Sequence, residues 1–238
     1  MSNKLNKTND HTIIPIITID GPAGSGKGTI SQKVAETLGW NILDSGALYR
    51  LVALAAQRRG LNFDNTDLIE RSLAEIAEQL DVVFKPCANG NIKIILEGDD
   101  VTQAIRSEEC GCAASQVAAK KPVRGALLER QRQFLETPGL VADGRDMGTV
   151  VFPNAKVKVF LTASAQIRAE RRLNQLKEQG ISVNLSGLIR DIEERDARDV
   201  NRKEAPLIPA EDAIIIDTGI LSIDEVVETV MKAVQKVY

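Results

Sequence analysis

The apolar run Pro15-Ile16-Ile17-Thr18-Ile19-Asp20 passes directly into Gly21-Pro22-Ala23-Gly24-Ser25-Gly26-Lys27-Gly28-Thr29. A buried strand, a glycine-rich turn and a helix in that order leave few folds open, because the turn presents backbone N–H groups and a helix N-terminus at the end of a sheet. Gly21, Gly24 and Gly26 let the backbone take positive φ and come close to a ligand. Lys27 adds a flexible ammonium suited to bridging β- and γ-phosphates. The helix predicted from Lys27 carries Ile30, Val34 and Leu38 on one face. The loop from Gly21 to Thr29, with Pro22, Ala23, Ser25 and Gly28 between the residues already named, is therefore a candidate site for a nucleoside triphosphate. One position departs from the usual pattern: Gly28 stands where a Ser or Thr commonly holds Mg²⁺, and Thr29 follows it.

Composition narrows the classes. The chain has 238 residues, enough for one good core and an inserted lobe rather than two independent domains. Its 30 Lys and Arg are outnumbered by 33 Asp and Glu, so no global basic field recruits nucleic acid. No run approaches the ~18 apolar residues of a membrane span, and residues 1–12 are polar, so the expectation is a cytoplasmic protein without membrane association. Cys87, Cys110 and Cys112 are odd in number and the single His11 is remote, which excludes a four-ligand zinc site and favours reduced thiols.

Alternating strand and helix patterns predict a P-loop-type parallel sheet of about five strands covered by helices. Trp40 to Leu43 reads as a strand and Ala47 to Arg59 as a helix closed by Gly60. Thr66 to Leu80 reads as a helix with Ile69, Leu73, Ile76 and Leu80 at helical spacing. Between Asp81 and Val101 the period changes: Val82 to Phe84, a turn at Ala88 to Asn91, and Ile92 to Leu96 predict a hairpin inserted into the α/β chain. Helices are expected over Ser107 to Lys120, capped by Ser107, and Pro122 to Glu136, with strands at Leu140 to Ala142, Lys156 to Leu161 and Ala213 to Ile216.

Ligands in such sheets sit at the carboxyl ends of the strands. Two of those ends here are strongly polar, Asp44-Ser45-Gly46-Ala47-Leu48-Tyr49-Arg50 and Asp143-Gly144-Arg145-Asp146-Met147-Gly148. A third cluster is helical: Arg195, Asp199 and Arg202 share one face at i, i+4 and i+7, with Glu194 and Arg198 as a second spaced pair. A solvated helix stitched by ion pairs would give the same pattern. Phosphoryl transfer, however, is stabilised mainly by positioned cations, so an arginine-bearing lid between a hinge at Gly180 and a stop at Pro206 and Pro209 is the favoured reading.

The loop, both strand-end clusters, the continuation Thr149-Val150-Val151-Phe152-Pro153 and Arg195-Asp196-Ala197-Arg198-Asp199 together resemble the bacterial cytidylate kinase family over nearly the whole chain. The Gly-Lys-Gly-Thr form itself is similar to the loop of nucleoside monophosphate kinases, in which Mg²⁺ is held largely through phosphates and water. The resemblance implies one domain: a core at 13–44, 138–178 and 205–238, a monophosphate-binding lobe at 45–137 enlarged by the insert at 81–101, and a lid at 179–204. It implies transfer of a phosphoryl group from ATP to CMP or dCMP, with UMP a poor acceptor, by a protein expected to be monomeric. Ser45, Arg145 and Asp199 would then line the cytosine, Arg50, Arg124 and Arg145 would lie near the acceptor phosphate, and Asp146 and Asp199 would serve ribose or base. Tyr49 belongs to the same acceptor site, and Arg195 and Arg202 would fold over the phosphates. Lys27, Arg145, Arg195 and Arg202 are the catalytic candidates. Arg168, Arg171 and Arg172 follow a strand, and Arg171 is the candidate for the ATP side. Two other readings share the core: a small-metabolite kinase, and an ATP-binding regulator without turnover.

Overall fold

The computed structural model describes residues 14–63, 66–86, 92–178 and 180–238. Five parallel strands form the central sheet: β1 (Ile16–Asp20), β2 (Asn41–Asp44), β6 (Leu140–Gly144), β7 (Val157–Thr162) and β8 (Ile214–Asp217), in the order β2-β6-β1-β7-β8. The crossovers are α1 (Lys27–Leu38) after β1 and α6 (Ala165–Glu178) with α7 (Leu185–Asn201) between β7 and β8; α8 (Ile223–Gln235) follows the last strand. Between β2 and β6 lie α2 (Ser45–Arg58), α3 (Asp67–Glu78), the antiparallel strands β3 (Val82–Pro86), β4 (Ile92–Leu96) and β5 (Asp99–Asp100), then α4 (Glu108–Ala118) and α5 (Lys121–Arg132).

The alternation of side chains along β6 shows how the sheet is covered. Val141 packs with Ile17, Ile19, Ile30, Val226 and Val230 beneath α1 and α8. Its neighbours Leu140 and Ala142 turn to the other face and join Leu43, Leu51, Leu127 and Phe152, so the inserted lobe grows out of the sheet's own core. A third, smaller cluster joins α6 to α7 through Ala169, Leu176 and Leu188.

The predicted elements form within a few residues of their expected limits. Ser107 caps α4 by accepting the Cys110 N–H at 3.1 Å. Asp44 caps α2, which therefore starts at Ser45 rather than Ala47. The hairpin gains the short strand β5, whose two acidic residues carry no apolar alternation. Its expected turn at Ala88 to Asn91, like Cys87 and His11, lies outside the described residues. Cys110 and Cys112 are free thiols.

Two expectations for α7 need correction. The helix ends at Asn201, well before Pro206, because Arg202 leaves helical conformation (φ −64°, ψ 140°) and the Leu207 N–H returns to the Asp199 carbonyl at 2.9 Å. Glu194 and Arg198 form no ion pair among the described residues; the acids of this helix, Asp196 and Asp199, pair instead with Arg168 and Arg145 from elsewhere in the chain. No helix among the described residues is long and apolar enough to cross a membrane.

Candidate active site

The loop after β1 has the backbone its glycines predict. Gly21, Gly24 and Gly26 have φ of 148°, 78° and 89°. At Gly21 a Cβ would stand 2.1 Å from the Leu161 carbonyl oxygen of the neighbouring strand, so only glycine fits. Gly26 caps α1 without a side-chain acceptor, leaving the first N–H groups of the helix free for an anion. Ser25 turns inward, its hydroxyl donating to the Pro22 carbonyl at 3.0 Å, so it serves the loop's shape and offers phosphates only its backbone. Lys27 Nζ donates to the same carbonyl at 2.9 Å.

Two cavities meet at this loop, sharing Gly24, Lys27 and Gly28. The outer one, about 680 Å³, runs from the loop past Arg171 and Thr218 to Leu221. Arg171 spans it, donating to the Thr218 hydroxyl at 3.1 Å and to the Thr218 carbonyl. The inner one, about 270 Å³, is enclosed by the two strand-end clusters, α4 and α7. Ser45, Tyr49, Arg50, Arg124, Arg145, Asp146, Arg195, Asp199 and Arg202 all border it, so the structure gathers every predicted acceptor-site residue around one space.

That space has two electrostatically distinct ends. Beside Lys27 the dominant charges are Arg145, Asp143, Arg195 and Asp44. Burial, then Arg145, lowers the Lys27 ammonium to about 8, and burial raises Asp143 to about 7 although Lys27 opposes it. Burial and the neighbouring Arg145 likewise bring Arg195 down to about 10. At the other end Tyr49, whose phenol is pushed by burial up to about 12, faces Arg124, Asp146 and Arg202. Arg124 pairs with Asp146, lies 5.6 Å from the Tyr49 ring centre and donates to the Ala118 carbonyl at 3.2 Å. Arg124 therefore sits with the Tyr49 group, not among the charges that govern Lys27. Asp199 lies between the ends, accepting from Arg145 Nε at 2.7 Å and from the Ser115 hydroxyl at 3.0 Å. Burial works against its ionisation, but Arg145, Arg195 and Arg202 outweigh it and hold Asp199 below the usual carboxylate range.

Several members of this cradle carried no motif in the sequence. Asp20 ends β1 and clamps the Met147–Val151 turn, its two oxygens accepting the Met147 and Gly148 N–H groups at 2.8 Å each. It thereby fixes the backbone next to Arg145 and Asp146, and burial raises its carboxyl to about 6. Gln131 on α5 accepts the Ser45 hydroxyl at 2.7 Å. The strand-end rule that singled out Asp44 and Asp143 would also have found Asp20; Ser115 and Gln131 lie in ordinary helical patterns and gave no signal.

Tyr49 Oη, Arg195 Nε and Arg202 Nη2 are buried with no hydrogen-bond partner. These polar atoms border one cavity, and Arg202 Nη2 has only Asp146 Oδ1 at 3.8 Å, so a ligand bringing acceptors would complete them. Among the described residues no group of three or more His, Cys, Asp and Glu is arranged to hold a metal directly.

Comparison with known proteins gives the family. The cytidylate kinase family model matches residues 17–236. The cytidylate kinase of Marinomonas sp. (strain MWYL1) is 57% identical over 222 residues, 93% of this chain and 96% of that protein. Those of Shewanella loihica and Stutzerimonas stutzeri (strain A1501) are each 58% identical over 93% of this chain and 95% of theirs. Among solved structures, a gluconokinase from Sinorhizobium meliloti 1021 is 16% identical, covering 94% of this chain and 92% of that one with a TM-score of 0.47. Through the family match and these relatives, the chain belongs to the cytidylate kinase family.

Proposed function

We propose that the protein transfers the γ-phosphoryl group of ATP to CMP or dCMP, yielding ADP and CDP or dCDP, with UMP a poor acceptor. The observation that carries this reading is the meeting of two cavities at Lys27 and Gly28. ATP occupies the outer cavity and the loop, with Arg171 on its side. The acceptor occupies the inner cavity. Its phosphate must point toward Lys27 to receive the transferred group, which sends its base to the opposite end, among Tyr49, Arg124 and Asp146. Arg124 thereby moves from the expected phosphate set to the base, and Ser45, Arg145 and Asp199 come off the cytosine. Cytosine presents an amine donor beside ring-nitrogen and carbonyl acceptors, matching a carboxylate flanked by a guanidinium. Uracil would turn a carbonyl oxygen toward the carboxylate and leave it unpaired. Ser45, Ser115 and Asp199 fall beside the sugar, and Arg50, Arg145 and Arg195 near the phosphate.

The acceptor phosphate is largely dianionic at neutral pH, so the reaction needs no general base. Catalysis is in-line positioning together with neutralisation of charge by Lys27, Arg145, Arg195 and Arg202. Mg²⁺ accompanies ATP. The residues present fit it in a water-mediated mode: Asp143, buried beside Lys27 with Asp44 near it, is an oxygen donor set where negative charge is crowded, and Mg²⁺ retains several of its waters. When bound it supplies further neutralisation of phosphate charge. Residues 179–204 act as the lid and 45–137 as the acceptor lobe on the core at 13–44, 138–178 and 205–238. The protein works as a cytoplasmic monomer on small molecules, without nucleic acid or membrane.

Calorimetry on the wild type and Lys27→Ala tests the two-site arrangement. The variant should lose turnover by at least ~10³-fold while its CMP affinity stays within about threefold of wild type. Loss of CMP binding together with turnover would contradict separate donor and acceptor sites.

A further inference from the structure

Arg168 borders the outer cavity, yet its side chain is only 4% exposed and almost fully bonded to protein. It sits in the first turn of α6, with Nε donating to the Ala163 carbonyl at 2.9 Å. Nη1 donates to the Ala23 carbonyl of the phosphate loop at 3.1 Å and to Asp196 Oδ1 at 3.1 Å, and Nη2 donates to Asp196 Oδ2. Four of the five guanidinium N–H groups are thus taken up by protein, leaving little for a substrate. The contact is close on the loop side as well: a Cβ at Gly24 would lie 3.2 Å from Arg168 Cβ.

The bonds run between parts with different tasks. Ala23 belongs to the loop that holds the donor. Asp196 belongs to α7 and stands between Arg195 and the Asp199 turn, both at the acceptor cavity. Arg195 reaches α4, where its Nη1 would be 3.2 Å from a Cβ on Gly111, beside Arg50. Because the bidentate pair has a fixed fork geometry, the loop carbonyl and the lid helix cannot shift independently.

We infer that Arg168 and Asp196 are positioning residues: the pair ties the phosphate loop to the lid helix, so that the placement of Arg195 and Asp199 on the acceptor depends on the loop's conformation. This inference rests on the two-substrate reading above. It predicts that breaking the lid end of the strut harms the acceptor selectively, whereas breaking the loop end harms both substrates.

Calorimetry with CMP and with a non-hydrolysable ATP analogue, together with steady-state kinetics, tests it on Asp196→Asn, Arg168→Gln and the double variant. Asn offers one acceptor oxygen and cannot serve both N–H groups. Asp196→Asn should weaken CMP and lower kcat by about tenfold each, with affinity for the ATP analogue within about twofold of wild type. Arg168→Gln should weaken both ligands, Arg168→Lys should restore part of the loss, and the double variant should be no worse than Arg168→Gln, since one bond cannot be broken twice. Equal weakening of both ligands by Asp196→Asn, unchanged CMP affinity and kcat, or additive losses in the double variant would overturn the inference. Should the wild type itself bind no CMP, the two-substrate reading fails, and with it the inference built on it.

Discussion

Asp146 and Asp199 are both buried carboxylates in the same cavity, yet their bonds assign them different work. Asp199 has both oxygens committed within the protein, to Arg145 and Ser115. Asp146 pairs with Arg124 at the end remote from Lys27 and has Arg202 Nη2 3.8 Å from its other oxygen. Replacing Asp146 by Asn, whose amide can face either base, should narrow the CMP-to-UMP ratio of kcat/KM by about tenfold or more. Replacing Asp199 by Asn should lower both acceptors by similar factors, because its task is to hold Arg145; a selective loss of CMP would instead make Asp199 the base reader. Lys27 permits a prediction in pH. Burial and Arg145 lower its ammonium to about 8 in the free protein, so near pH 8 a sizeable fraction is neutral, and a bound triphosphate favours the charged form. Binding of ATP without Mg²⁺ at pH 8 should therefore take up a fraction of a proton, read by calorimetry in buffers of different ionisation enthalpy. No uptake, or release, would contradict the assigned environment.

Elements place these side chains through backbone features whose visibility in the sequence differs. The turn from β1 into α1 was legible because glycine spacing is a direct record of backbone geometry. Gly21→Ala makes this testable: with φ of 148° and a Cβ 2.1 Å from the Leu161 carbonyl, the variant should lose about 2 kcal/mol or more of stability by urea unfolding. The cap at Ser107 was legible in the same local way, as were the apolar stripes of α1 and α3, whereas the Asp44 cap was not. The end of α7 was not. A proline marks where a helix cannot continue, whereas this one stops earlier, where Arg202 donates to the nearby Ala205 carbonyl at 2.5 Å and faces Asp146 from a distant part of the chain, a contact that no local pattern records. The Met147–Val151 turn escaped notice for a similar reason, since the Asp20 carboxylate that holds it comes from a strand 127 residues earlier.

At the scale of the molecule, the segments after β2 and β6 converge because parallel strands deliver their carboxyl ends to one edge of the sheet, and α7 packs over them. The gathering of Ser45 and Arg145 was legible as a rule about sheets and Asp199 as part of the arginine-bearing helix, but the division of that cavity into a Lys27 end and a Tyr49 end was not, because it depends on which charges face each other across it. Ser115 and Gln131 mattered only once α4 had packed against α2 and α5 against α3. The same edge explains why one loop can serve two cavities: Lys27 and Gly28 belong to both, and transfer between bound nucleotides follows from that shared wall. The rate of ADP formation from ATP with CMP, dCMP, UMP and AMP offered in turn tests this most directly. The structure predicts fast turnover with CMP and dCMP, slower turnover with UMP by about tenfold or more, and little with AMP. Equal rates with all four acceptors, or ATP binding with turnover of none, would contradict it.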